Sequence, residues 1–117
     1  MSNAQLVIEV TGILKGWPRD VLAPARRTVA HLAGLRQIDR FYIGRGVDPE
    51  KRRSAHRAHA VVPIYETDSV ENAMQVEEFL NARFFNHAKN DNASWDARGG
   101  TSQDYVNYVY VALWVRP

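Results

Sequence analysis

The segment from residue 41 to residue 56 constrains the fold of this chain more than any other. Aromatic and β-branched residues open it and predict a short strand, which Gly44 and Gly46 interrupt with a turn. Asp48-Pro49 then begins a helix as its N-cap and first helical residue. This helix places an arginine and a histidine four residues apart, and therefore on one face. The segment predicts a strand and a helix joined by a short glycine-containing turn.

Periodicity along the rest of the chain extends this alternation. We predict strands at residues 6–14, 38–43, 61–65 and 106–115, helices at residues 25–33, 48–60 and 69–86, and a loop at residues 87–104. Pro63 indicates an edge strand or a bulge, and Asp68-Ser69-Val70-Glu71 resembles a capping box. The order of elements predicts one domain over residues 1–117. Its expected class is α+β, with a small mixed or antiparallel sheet of three to four strands flanked by helices.

Composition narrows the class of protein. The chain has 117 residues, of which 45% are hydrophobic, and this fits one soluble globular domain. No apolar run approaches the ~20 residues of a membrane span, and no segment has the pattern of a signal peptide. The sequence contains no cysteine, which excludes disulfides and thiolate metal sites. We therefore expect a cytoplasmic protein that does not span a membrane.

Charge is unevenly distributed, although the formal net charge is only +2. Residues 19–57 contain ten Lys or Arg against four Asp or Glu, whereas residues 60–117 contain four against eight. A basic half fits a polyanionic partner such as nucleic acid; the alternative is a solvated helix surface balanced by an acidic one. The candidate nucleic-acid-binding residues are Arg45, Lys51, Arg53 and Arg57.

Four side chains lie where chemistry can be expected. Glu77 falls among apolar residues on the wheel of its helix, so it requires a partner there, either a metal ion or an arginine in a structural ion pair. Arg52 can hold a phosphate, and His56 on the same face can orient water or transfer a proton. Tyr42 ends the strand that leads to their helix. The alternative for Arg52 and His56 is a solvated helix face, and for Tyr42 a place in the core.

Asn90 and Asn92 follow the helix of Glu77 and can brace a site through hydrogen bonds, although polar loops contain asparagine routinely. The sequence has no P-loop, no Gly-x-Ser-x-Gly and no His-Glu-x-x-His motif. A metal here would have few protein ligands, mainly oxygen atoms. This favours Mg²⁺ or Mn²⁺ held by one carboxylate, water and substrate phosphate.

Taken together and in this order, the residues resemble the GIY-YIG nuclease superfamily over about residues 38–100. Tyr42-Ile43-Gly44 is similar to the second signature of that family, and Arg52 and His56 are similar to its helix motif. The segment around Glu77 resembles the one in which the family's glutamate binds metal. Further matches in the same order are the asparagine position, at Asn90 or Asn92, and the glycine pair Gly99-Gly100.

The resemblance implies hydrolysis of a DNA phosphodiester bond with one divalent cation. Tyr42 and Arg52 would contact the scissile phosphate and the attacking water, and His56 would assist positioning or proton transfer. Glu77 would hold the cation, which stabilises the departing oxygen.

The chain departs from the pattern of the family at the first signature, Gly-Ile-Tyr, whose tyrosine is a candidate general base. Its best match here is Gly12-Ile13-Leu14, where Leu14 has no hydroxyl and precedes Tyr42 by 28 residues, further than in the family. Tyr65 and His59 are the candidate substitutes. Loss of a base costs about 10²–10⁴ in rate, so the departure also raises the hypothesis of a domain that no longer cleaves.

Three functions follow from the sequence as hypotheses. The leading one is a divalent-metal-dependent endonuclease acting on DNA. The second is a catalytically inactive module of the same fold that binds nucleic acid or a protein partner. The third is an interaction protein that uses the fold as a scaffold. In its homodimer version, the strand from Tyr105 to Trp114 pairs with a second copy along a sheet edge.

Overall fold

The computed structural model describes residues 12–91 and 105–117. Helices and strands alternate along this part of the chain. In order, they are α1 (Pro18–Gly34), β1 (Ile38–Gly46), α2 (Pro49–His56), β2 (Ala60–Thr67), α3 (Val70–Arg83) and β3 (Asn107–Val115). Within the same residues, no helix combines the length and the apolar character needed to cross a membrane. The predicted α+β class is confirmed.

The three strands form one antiparallel sheet in the order β1-β3-β2. The last strand in the chain is therefore the central one, paired with β1 on one side and with β2 on the other. This confirms the predicted small antiparallel sheet flanked by helices. The hypothesis that the strand from Tyr105 to Trp114 pairs with a second copy is wrong, because hydrogen bonds to its two neighbours occupy both sides of β3.

Side chains alternate along the strands, and this gives the sheet two different faces. The first face packs against α1 and α3 and forms the main core. Its buried strand residues include Phe41, Ile43, Val109, Val111 and Leu113. The second face lies beside α2 and forms a smaller cluster, made of Tyr42, Ala58, Tyr110, Ala112 and Trp114. Two tyrosines from different strands therefore lie on the α2 face.

Helix α1 begins earlier than predicted, at Pro18 instead of residue 25. Pro24 lies inside the helix, although an interior proline costs about 3 kcal/mol because it removes a hydrogen bond. The turn before it buries Pro18 and Val21 against the core. Burying one valine contributes about 1.5–3 kcal/mol, so packing offsets the lost hydrogen bond.

Helix α2 begins at the predicted cap, where the side chain of Asp48 accepts a hydrogen bond from a backbone N–H at 3.2 Å. Helix α3 begins one residue later than the capping-box pattern predicts: its cap is Ser69 and not Asp68, and Ser69 Oγ accepts from Asn72 N at 3.1 Å. Helix α2 ends at His56 and not near residue 60, because Arg57 adopts the left-handed conformation with φ of 56°. Strand β2 is an edge strand with a register shift just after Pro63, as that proline predicts.

The segment around Leu14 lies at the outer edge of β2. Leu14 N donates to Ile64 O at 2.9 Å, and Glu66 N donates to Leu14 O at 2.9 Å. Because β3 separates β2 from β1, Gly12-Ile13-Leu14 is two strands away from Tyr42. Residues 6–11 of the predicted first strand lie outside the described residues.

Candidate active site

Four polar side chains meet on the α2 face of the sheet. Tyr42 comes from β1 and Tyr110 from β3, while Arg52 and His56 come from α2. The hydroxyl oxygen of Tyr110 lies 3.4 Å from Arg52 Nε and 3.5 Å from His56 Nε2. The rings of Tyr42 and His56 are in contact, with centroids 4.8 Å apart. We call these four residues the tyrosine–histidine cluster. The structure thus brings together three of the predicted site residues and adds a fourth.

Local sequence explains how α2 reaches the cluster. Strand β1 extends through Gly46, and only two residues separate it from Pro49, so α2 must turn back over the sheet. Arg52 and His56 are one helical turn apart and face the sheet together. Helix α2 has no fully buried residue, and contacts with the tyrosines on this face are made by these two polar side chains.

The register between β1 and β3 places the two tyrosines near each other. Tyr110 pairs with Gly44, and Tyr42 pairs with Ala112, so the tyrosines are diagonal neighbours on one face. A Cβ atom on Gly44 would lie 2.6 Å from the Tyr110 hydroxyl oxygen and 2.8 Å from Tyr42 Cε2. Gly44 does not break the strand, contrary to the prediction. Its missing side chain instead provides the space in which the Tyr110 hydroxyl sits.

We expect Gly44→Ala to destabilise the protein by about 1–3 kcal/mol, because the added methyl group must displace two buried tyrosines. Urea unfolding measures this change. Gly46→Ala is the matched control on the same strand, since its Cβ would meet Arg52 Cγ at 3.4 Å, an ordinary contact. If both variants unfold at the same urea concentration, Gly44 is not constrained by the tyrosines.

Tyr110 is the site residue that sequence reasoning missed. A weak signal existed, since Tyr108 and Tyr110 alternate within a strand and so share a face. Its position beside Tyr42 depends on β3 pairing with β1, which the order of elements does not reveal. The candidate substitute bases lie elsewhere. Tyr65 donates its hydroxyl to Gly16 O at 2.5 Å, and His59 Nδ1 accepts from a backbone N–H at 3.0 Å.

Glu77 lies on the other face of the sheet, where α3 packs. Its Oε1 accepts a hydrogen bond from Arg45 Nε at 2.8 Å, and the Glu77 side chain is 13% exposed. Arg45 follows Gly44 directly, so its side chain points away from the tyrosine–histidine cluster. The sequence left two partners open for Glu77, a metal ion or an arginine in an ion pair, and the structure contains the ion pair.

Burial raises the pKa of the Glu77 carboxyl above its ordinary value of 4.5, and the attraction of Arg45 offsets only part of this effect. The folded protein therefore holds this proton more tightly than the unfolded chain does. We expect stability to fall as pH rises above about 4.5 and through the raised pKa. Urea unfolding in EDTA across this pH range should show the effect in wild type and not in Glu77→Gln. A constant stability difference between the two proteins would contradict it.

One carboxylate is a small donor set for a metal ion. Within residues 12–91 and 105–117, no group of three histidine or acidic side chains is placed to hold an ion. Glu77 is the carboxylate that would serve in a single-carboxylate site for Mg²⁺ or Mn²⁺, in which water and substrate phosphate supply the other oxygen ligands. In the structure, the positive charge beside this carboxylate is supplied by Arg45.

The remaining predicted residues lie outside the cluster. Asn90 donates its side-chain amide to Phe84 O at 2.9 Å and braces the segment after α3. Arg53 donates hydrogen bonds to the Glu50 carboxylate and to a backbone carbonyl. Lys51, on α2, and Arg57, just after it, are exposed. Asn92 and Gly99-Gly100 lie outside the described residues.

No family model matches this chain, and neither a curated protein nor a solved structure matches it.

Proposed function

We propose that the chain is a GIY-YIG-like endonuclease domain that hydrolyses DNA phosphodiester bonds with the help of Mg²⁺ or Mn²⁺. The observation that carries this proposal is the contact of one tyrosine hydroxyl, that of Tyr110, with both Arg52 and His56. A phenol, an arginine and a histidine at one point can supply a base, a phosphate-binding cation and a proton carrier.

Tyr110 takes the role of the general base, which Leu14 cannot fill because its side chain has no hydroxyl group. The guanidinium of Arg52 can only donate, so its Nε–H points to the phenolic oxygen and stabilises negative charge there. Neutral His56 can accept the phenolic proton at Nε2. In this arrangement Tyr110 takes a proton from the attacking water as its own proton passes to His56. Both contacts are long, and such contacts tighten when substrate binds.

The order of the two tyrosine strands differs from the family resemblance. In that resemblance the first tyrosine precedes the Tyr42 strand, whereas Tyr110 follows it by 68 residues. Antiparallel pairing of β3 with β1 still makes the two strands neighbours. We therefore assign the place of the first signature to β3 and not to Gly12-Ile13-Leu14.

Glu77 is the residue that would hold the divalent cation, whose chemistry would be to stabilise the departing oxygen. Because Glu77 lies on the opposite face of the sheet from the tyrosine–histidine cluster, the cation and the cluster could act on one phosphate only if that phosphate lay beyond the end of β1, where the two faces meet. Arg45 holds the same carboxylate in the structure, so it must move when a cation binds. A phosphate oxygen of the substrate is a suitable new partner for its guanidinium.

The test is a plasmid-nicking assay with Mg²⁺, Mn²⁺ or EDTA. Wild type should nick supercoiled plasmid with either metal and stop in EDTA, and Glu77→Ala should nick more slowly at every metal concentration. Glu78→Ala is the matched control, because Glu78 is the next residue of α3 and is exposed. Equal rates for Glu77→Ala and wild type would refute the proposal, as would the absence of nicking by a folded sample.

A second function is favoured by the ion pair at Glu77. With its charge compensated by Arg45, the domain can retain the fold and bind nucleic acid without cutting it. Exposed cations on or beside α2, Lys51 and Arg57, would then contact phosphates. This function predicts binding that weakens steeply with salt and no nicking under any metal condition.

A further inference from the structure

A second group of cations lies at the opposite end of β1 from the tyrosine–histidine cluster. Arg36, Lys89 and Arg116 line a groove of about 670 Å³, together with Gly34 and Gln37. The three cations come from separate parts of the chain: the turn after α1, the segment after α3, and the residue that follows β3. We call this the basic groove.

Contacts with the backbone fix two of these cations in place. Lys89 donates from Nζ to Ala33 O at 2.8 Å and to Leu35 O at 3.2 Å, which caps the carbonyl end of α1. Arg116 donates from Nε to Arg36 O at 2.8 Å. Side chains that are already ordered lose less freedom when an anion binds.

Charge within the groove is mainly positive. One of these cations has an acidic partner, since Asp39 Oδ1 lies 3.7 Å from Arg116 Nη1. Both side chains of this pair are about half exposed, so water weakens their attraction and Arg116 can exchange Asp39 for another anion. Arg36 and Arg116 can each bind a phosphate through two N–H groups.

The distance between the groove and the cluster indicates which phosphate is bound. Seven residue steps of extended chain lead from Gln37 to Gly44, the partner of Tyr110, and span about 23 Å. DNA advances about 3.4 Å for each base pair, so this distance corresponds to roughly seven base pairs. A duplex placed with one phosphate at the cluster can therefore reach the groove with another.

We propose that the basic groove binds the DNA backbone about seven base pairs from the scissile phosphate and so fixes the duplex along β1. This inference rests on the proposed function, because it takes the cluster as the point of cleavage. It adds a contact whose purpose is positioning, since phosphate contacts set register and orientation without reading sequence.

The test compares two double variants on two DNA lengths. Arg36→Gln/Arg116→Gln removes two charges from the groove, and Lys15→Gln/Arg19→Gln removes two charges at the start of α1 and just before it, at the opposite end of that helix. Binding is measured by fluorescence anisotropy in EDTA, over a range of salt, with a twenty-base-pair duplex and a six-base-pair duplex. The short duplex cannot cover the groove and extend past the cluster at the same time.

For the long duplex, we expect the groove variant to lower the slope of log K against log salt by about 1.8 and to weaken binding by roughly tenfold or more. The control variant should change the slope much less, and the two variants should be equal on the short duplex. Arg36→Gln alone leaves the Arg116 contacts in place and should produce about half of the change in slope.

Two results would overturn the inference. One is an unchanged slope for the groove variant on the long duplex, and the other is an equal loss on both lengths, which would indicate a general charge effect. Cleavage is scored separately on plasmid. A wild type that binds but does not nick, with a lower slope in the groove variant, supports the groove and rejects the nuclease. Nicking by the wild type, together with an unchanged slope in the groove variant, supports the nuclease and rejects the groove.

Discussion

Replacing Tyr110 by phenylalanine is expected to slow cleavage by about 10²–10⁴-fold and to leave the fold intact. The change removes a single oxygen atom, the one that contacts Arg52 Nε and His56 Nε2. The ring remains and fills the same space, since Tyr110 is 1% exposed. The two lost contacts should cost no more than about 0.5–1.5 kcal/mol each in stability.

Single-turnover nicking with enzyme in excess measures this effect, and urea unfolding verifies the fold. Tyr108→Phe is the matched control, because Tyr108 is on the same strand and the same face and pairs with Gly46 instead of Gly44. We expect this control to cleave at the wild-type rate. Equal rates for the two phenylalanine variants would remove the Tyr110 hydroxyl from the chemistry.

Arg52→Ala should produce the second large effect, a loss of about 10²–10³-fold in single-turnover rate. Arg52 Nε lies 3.4 Å from the Tyr110 hydroxyl oxygen, so the guanidinium can stabilise both the phenolate and the phosphate. Arg52→Lys keeps the charge but loses the planar set of donors, so it should recover only part of the rate.

The neighbouring arginine provides the control for this second experiment. Arg53→Ala removes the same charge from the same helix, but Arg53 is held by Glu50 and by Ala58 O. Rates are compared at saturating DNA, so that weaker binding does not contribute. An Arg52→Ala rate equal to that of Arg53→Ala would show that Arg52 acts only through general charge.

Short-range sequence signals predicted this protein well. Asp48 caps its helix as expected, because a cap depends only on the next three residues, and the cap of α3 is Ser69, one residue after the predicted Asp68. The helical period also placed Glu77 on a largely buried face, since that depends only on its own helix. Its partner Arg45 was not predicted, because the ion pair joins α3 to the end of β1.

Long-range pairing is what the sequence did not reveal. In the sequence, Tyr110 is one aromatic residue among several in a strand rich in β-branched residues. Its neighbours in the chain do not indicate that its hydroxyl belongs to a site. Its hydroxyl is placed by the register of β3 on β1 and by the space above Gly44. The same cause explains the interpretation of Gly44 as a strand breaker, because the atom nearest to a Cβ there, the Tyr110 hydroxyl oxygen, comes from a distant part of the chain.

The central position of β3 has a consequence for how the chain folds. β1 and β2 both come earlier in the chain and do not pair with each other, so among the three described strands no pairing can form before β3 joins them. Nearly every strand contact therefore closes a long loop, and chains with such distant contacts fold slowly. During synthesis, we expect the sheet to form in one late step. A partly made chain would hold Tyr42 and Arg52 but lack Tyr110, whose hydroxyl contacts Arg52 in the tyrosine–histidine cluster.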